Sequence, residues 1–171
     1  MNAYTHVVHP FPPLFDERAE TLILGSLPSV KSREQNFFYG HPQNRFWPLL
    51  AALFGEAAPA TVEEKAALAK RHCIALWDSI YSCDVVGSGD SSIKNVEPTD
   101  LTPIFRGAKI TRVFCNGRTS ALYYAKYHEP VWGVPAVTLP STSPANAAWS
   151  MKKLLDAWRI VAELGVTLCS P

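Results

Sequence analysis

Three clusters of residues in this sequence have the types and spacing to do chemistry on a planar ligand. One is Phe38-Tyr39-Gly40-His41-Pro42-Gln43-Asn44-Arg45-Phe46-Trp47. An aromatic ring holds a neutral base by stacking, and a carboxamide, which donates and accepts, reads its edge or places a water. Tyr39 offers the ring and Asn44 the carboxamide, although Asn44 suits equally well the N-cap of the helix that follows. Phe46 and Trp47 read as core. Another is Leu139-Pro140-Ser141-Thr142-Ser143-Pro144-Ala145-Asn146-Ala147. Hydroxyls and backbone N–H groups at a helix start suit a phosphate, and the rigid Pro144 beside small Ala145 can press into a base stack. A plain Ser/Asn-capped helix start would look the same. The remaining cluster, Gly25-Ser26-Leu27-Pro28-Ser29, lets a ligand approach the backbone at glycine and aims turn amides at it, or is a simple strand-to-loop turn.

Familiar chemistries are excluded. The Gly25 turn lacks the Gly-Lys-Ser/Thr of a phosphate-binding loop and the spacing of a dinucleotide fingerprint. Ser141 is not in a Gly-x-Ser-x-Gly elbow, so a Ser-His-Asp hydrolase has no support. His6, His9, His41, His72 and His128 show no metal-ligand spacing and read as solvent-facing or structural, except His41, whose loop is a candidate pocket. Cys73, Cys83, Cys115 and Cys169 form no Cys-x-x-Cys and read as four free thiols, so no metal is expected.

The elements that must position these residues follow from hydrophobic pattern. Met1 to Glu20 is Pro-rich and reads as an extended arm over the surface. Strands are expected at Thr21–Leu24, Cys73–Trp77, Thr111–Cys115 and Val134–Leu139. Helices are expected from Asn44 to Phe54, from a Thr61-x-x-Glu64 capping box to about Arg71, from Asp100 to Arg106, and from Asn116-Gly117 to about Tyr127. A last helix shows one apolar stripe, Ala147, Met151, Leu154, Leu155, Trp158, Val161 and Ala162. Asp78 to Thr99, with Gly87-Ser88-Gly89-Asp90-Ser91-Ser92, reads as a long functional loop. Alternating strands and helices predict an α/β domain with a mainly parallel sheet covered on both faces. The loops at Gly25, Asp78, Asn116 and Pro140 then leave the carboxyl ends of the strands, where such sheets bind ligands.

The 171 residues fit one domain without internal repeats, and 47% hydrophobic with 18% charged residues describes an ordinary globule. A net charge of +1 neither marks nor forbids a nucleic-acid partner. Met1 to Pro13 holds no uninterrupted apolar segment, and no run approaches the roughly 18 apolar residues of a membrane helix. A cytoplasmic protein with no membrane partner is expected.

With these motifs in hand, the chain resembles the uracil-DNA glycosylase superfamily, and within it the hypoxanthine-DNA glycosylase (deoxyinosine glycosylase) branch. The resemblance rests on Leu-Gly-Ser-Leu-Pro-Ser (24–29), the Phe38–Trp47 segment, Leu-Trp-Asp-Ser-Ile (76–80), Gly-Ser-Gly-Asp-Ser-Ser-Ile (87–93) and Leu-Pro-Ser-Thr-Ser-Pro-Ala-Asn (139–146), in the family's order. It implies a three-layer α/β/α fold with a central four-stranded parallel sheet. It also implies a monofunctional enzyme of base excision repair that needs no cofactor, acting as a monomer on DNA containing a deaminated base.

The residue roles are carried over from that likeness. Asn44 becomes the catalytic residue. Gly25, Ser26, Leu27, Tyr39, His41 and Asn116 surround the base, with Tyr39 as the stacking ring. Ser29, Ser32, Ser141, Thr142, Ser143, Pro144, Ala145 and Asn146 hold the DNA. The chain departs from relatives in four places. Leu27 stands where mismatch-specific relatives have a water-holding Asn, which argues against uracil as main substrate. Leu139 replaces an Asn or His, Ser29 a Gly, and Gly89 a bulkier residue. A non-catalytic binder of damaged DNA and an enzyme on free nucleosides remain the alternatives.

Overall fold

The computed structural model describes residues 3–87 and 89–168, with side chains described to 163. Its centre is a four-stranded, wholly parallel sheet. β2 (Thr21–Gly25) lies between β3 (Ile74–Asp78) and β6 (Arg112–Asn116), and β7 (Ala136–Leu139) pairs with β6. The remaining strands are β1 (Thr5–Val8), β4 (Ile80–Val85) and β5 (Lys94–Pro98). The helices in chain order are α1 (Val30–Gln35), α2 (Phe46–Leu53), α3 (Val62–Arg71), α4 (Thr102–Gly107), α5 (Arg118–Tyr127), α6 (Glu129–Trp132) and α7 (Met151–Leu168).

Alternation along the buried strands sends side chains to two separate cores. Ile23, Ile74, Leu76 and Phe114 pack with Phe46, Leu50, Leu68, Leu154 and Trp158 of α2, α3 and α7. Leu22, Leu24, Ala75, Val113 and Cys115 face Ile104 of α4 and Tyr124 of α5, with Trp132 of α6 against the same cluster. Helices thus cover both faces of the sheet, which is the expected three-layer arrangement. Two side chains, one half-buried and one buried, lock the layers. The Arg112 guanidinium donates to the carbonyls of Ile160 and Val161 in α7, and Ser120 Oγ of α5 donates to Leu24 O at 2.8 Å.

Several expectations are corrected. Asp78–Thr99 is not a long loop: β4 and β5 form an antiparallel hairpin, joined through a short 3-10 turn at Asp90–Ser92, while Ser88 lies outside the described residues. The N-terminal segment does more than lie on the surface. β1 pairs antiparallel with β4, completing a second sheet of order β1-β4-β5, and Leu14 bridges Leu76 at the free edge of β3. That bridge pairs both backbone groups of Leu76 at the edge. The last helix starts at Met151, so Ala147 sits in the preceding turn. Cys83 and Cys115 are free and buried, but Cys73 is disulfide-bonded, and Cys169 lies outside the described residues. Among the described residues no helix is long and apolar enough to cross a membrane, and no cluster could hold a metal ion.

Candidate active site

Loops at the carboxyl ends of β2, β3, β6 and β7 enclose a cleft of about 320 Å3. Gly25 forms its floor. A Cβ built there would stand 2.4 Å from Asp78 Oδ1 and 3.3 Å from the Tyr39 hydroxyl. Only glycine leaves room for these two groups to converge. Beyond it, the N–H groups of Ser26 and Leu27 make no backbone hydrogen bond among the described residues, and both residues line the cleft. The Leu27 side chain also packs against Val7, Ile80, Cys83 and Val85, the core of the second sheet, which is the physical reason an apolar residue fits there.

Asn44 and Thr142 join the two sequence clusters. Asn44 Oδ1 accepts from Phe46 N at 2.9 Å, but the N-cap position of α2 expected for Asn44 is taken by Arg45, one residue later. The same oxygen accepts from Thr142 Oγ1 at 2.9 Å. Thr142 in turn accepts from Asn116 Nδ2 at 3.0 Å and donates its backbone N–H to Asn116 Oδ1 at 3.0 Å. A continuous chain of hydrogen bonds thus runs from the end of β6 to the start of α2. It fixes Asn44 with its Nδ2 edge free of partners among the described residues and with the side chain lining the cleft.

Tyr39 sits on left-handed backbone (φ 52°), held by the neighbouring Gly40 N–H donating to Ser32 Oγ at 2.9 Å. One face of its ring is stacked on Phe46 at 4.0 Å, so only the other face is available to a ligand. Its hydroxyl is buried without a hydrogen-bond partner. Burial, and then the Asp78 charge, push its pKa far up; Asn116 lies near enough to ease this, though not in hydrogen-bonding geometry. The phenol is therefore a neutral donor.

The loop after β7 is braced from below. Arg45 donates to the carbonyls of Ser143 and Asn146 at 3.1 Å and to that of Trp149, and its own N–H reaches Thr142 O. Ser141 Oγ accepts from Ser143 N, and Ser143 Oγ accepts from Ala145 N, leaving each hydroxyl hydrogen free to donate. Asn146 Nδ2 donates to Ser141 O and so ties the loop across. At α1, Ser29 caps the helix by accepting from Ser32 N, while Ser32 is buried and engaged with Ser29 and Gly40.

Of the residues singled out by sequence, Gly25, Ser26, Leu27, Ser29, Ser32, Tyr39, Asn44, Asn116, Ser141, Thr142, Ser143 and Ala145 line this one cleft. Asn146 lines the adjoining groove. His41 and Pro144 line neither; His41 Nδ1 accepts from Gln43 N in its own turn. Sequence reasoning missed four residues. Asp78 faces the floor, paired through Oδ2 with His9 Nε2 at 2.6 Å. Asp90 lies on the rim with Ser26 Oγ 3.5 Å from Oδ1, and burial raises its pKa against the opposing Thr119 and Ser26 hydroxyls. Arg118 supplies a cation at the mouth. Asp78 and Asp90 stood inside quoted motifs, but His9 is 69 positions from its partner, a pairing no local pattern reveals. Cys115, near the cleft, is no nucleophile, since burial pushes its thiol up to about 11.

Comparison with known proteins bears on the family and the fold. A family model for the uracil DNA glycosylase superfamily matches residues 12–165. The chain is 36% identical over 156 residues to a hypoxanthine DNA glycosylase of Methanosarcina acetivorans, covering 88% of this chain and 95% of that one. A hypoxanthine DNA glycosylase of Methanosarcina barkeri is 35% identical over 153 residues, covering 86% and 93%. A solution NMR structure of a candidate uracil DNA glycosylase from Methanosarcina acetivorans superposes with a TM-score of 0.74 at 33% identity, covering 88% of this chain and 96% of that one.

Proposed function

The chain belongs to the uracil DNA glycosylase superfamily, and from that membership we propose that it is a monofunctional DNA glycosylase that removes hypoxanthine from deoxyinosine in DNA. The observation that carries this reading is the Thr142–Asn44 hydrogen bond, which sets a carboxamide from one motif against the hydroxyl-rich loop of the other.

Catalysis within a duplex begins with extrusion of the base, at a cost of a few kcal/mol that is smallest for a poorly paired or damaged nucleotide. The hydroxyls of Ser141 and Ser143 and the Arg118 cation hold the flanking phosphates and offset that cost. The C1′–N9 bond then breaks; its electron pair leaves with the purine and the sugar gains oxocarbenium character. A water oxygen forms the new bond to C1′, and the proton it gives up passes through solvent to the purine anion, which leaves as the neutral base. Such an electrophilic sugar needs a placed water more than a strong base. Asn44 Nδ2, held by its tethered Oδ1, donates to that water. The N–H groups of Ser26 and Leu27 face the charge that grows on the departing base. The reading takes the enzyme to act as a monomer, in the cytoplasm, on DNA that carries a deaminated base.

Purified protein and duplexes containing deoxyinosine, deoxyxanthosine or deoxyuridine test the reading by base release. Hypoxanthine is expected to be released fastest, and Asn44→Ala to slow release by about a hundred- to a thousandfold. Equal rates in the two proteins would remove Asn44 from the mechanism. Binding of damaged duplex without release would favour a non-catalytic binder.

A further inference from the structure

The floor of the cleft holds a pair of side chains that the proposed reaction has not used. His9 follows β1 and enters the interior beside β3, stacked on Trp77 at 4.9 Å and edge-on to Phe11 at 4.5 Å. Its side chain is wholly buried, and that of Asp78 is 5% exposed. His9 Nδ1 has no partner, so the low-cost tautomer carries its proton on Nε2 and donates it to Asp78 Oδ2. Asp78 Oδ1 has no hydrogen bond among the described residues and lies over Gly25 in the lining of the cleft, and the partnerless Tyr39 hydroxyl stands over the same glycine.

We propose that His9 is a positioning residue that fixes Asp78 as an acceptor, and that Asp78 with Tyr39 reads the lactam edge of the extruded base. The inference rests on the proposed glycosylase function and goes beyond it by naming what is recognised. An acceptor beside a neutral donor complements a ring N–H next to a C=O. Hypoxanthine presents that edge through N1–H and O6. Adenine presents the reverse, a ring lone pair next to an amino group, so a carboxylate oxygen there meets a lone pair and the phenol meets a donor. A site with buried polar groups rejects a mismatched analogue strongly, because those groups are left unpaired. The same edge occurs in guanine, so the pair separates adenine from its deamination product and leaves guanine to be rejected by its C2 amino group.

Single-turnover release is measured from duplexes carrying deoxyinosine, deoxyadenosine or deoxynebularine, whose purine has a lone pair at N1 and no C6 oxygen. Asp78→Asn is expected to lower deoxyinosine release about ten- to a hundredfold and to shrink its preference over deoxynebularine by about tenfold or more. His9→Leu should shrink the preference likewise, whereas His9→Gln, which keeps an N–H donor, should restore it to within about threefold of the wild type. A purely structural role would lower both substrates together and leave the preference intact; that result, or an unchanged preference in Asp78→Asn, overturns the proposal. If Asp78→Asn does not fold, the two His9 variants decide. If the wild type releases no base, the glycosylase reading fails. The pair is then judged by binding of duplexes with non-cleavable 2′-fluoroarabino inosine and nebularine, where loss of preference in the variants supports it and retention refutes it.

Discussion

Thr142 shows how much one buried hydroxyl organises. It is fully buried, accepts from Asn116, donates to Asn44 and anchors its own N–H on Asn116. Thr142→Val preserves shape but leaves Asn116 Nδ2 and Asn44 Oδ1 short of a partner, a loss of about 1–3 kcal/mol for buried groups. Base release should fall about tenfold, and adding Asn44→Ala should change little beyond the effect of Asn44→Ala alone, because coupled residues are not additive. A double-mutant cycle on single-turnover rates measures this; full additivity would show that the hydrogen bond does not carry the effect.

The elements were legible in the sequence to the extent that their patterns were local. The Thr61 capping box is present, with Glu64 N donating to Thr61 Oγ1, and the four core strands lie within two residues of expectation because each is built on a short apolar stretch. β1, β4 and β5 were not seen: β5 is mostly exposed and polar, and β1 is four residues long, so their pairing exists only in three dimensions. Asn44, Tyr39 and the Ser141–Ala145 loop were found by residue type, but the chain of hydrogen bonds among them, and His9 under Asp78, depend on contacts far apart in sequence. One further contact between elements is pH-sensitive. His128, at the end of α5, donates through Nε2 to Ser79 O at 3.0 Å, and burial lowers its pKa from 6.5. The unfolded chain therefore binds more protons below that value, so stability is lost as pH falls through it. His128→Gln should flatten the decline in Tm between about pH 7 and pH 5.5. The carboxylates of Glu56, Asp84 and Asp100, held below their ordinary range by hydrogen bonds, lose their contribution only as pH falls through that lowered range and do not obscure this window. An unchanged slope in the variant would show that His128 is not the source.

At the scale of the whole molecule, a net charge of +1 and a cleft whose lining cation is Arg118 describe a surface that grips DNA more by hydrogen bonds than by counterion release. The dependence of log affinity on log salt should be shallow. Arg118→Gln should weaken binding to all sequences alike and reduce the slope by about 1, read by titrations across salt concentrations. A slope unaffected by the substitution would place the phosphate contacts elsewhere. The N-terminal strand carries a last consequence. β1 and the His9 that follows it find their partners far along the chain, His9 being 69 residues from Asp78, so closing the floor costs the entropy of a long loop. A chain clipped after His9 would keep the strands of the parallel sheet and the residues of the Asn44–Thr142 link while losing the partner beneath Asp78. Proteolysis at that end would not simply switch the protein off; it would leave a DNA-gripping enzyme that no longer checks what it holds.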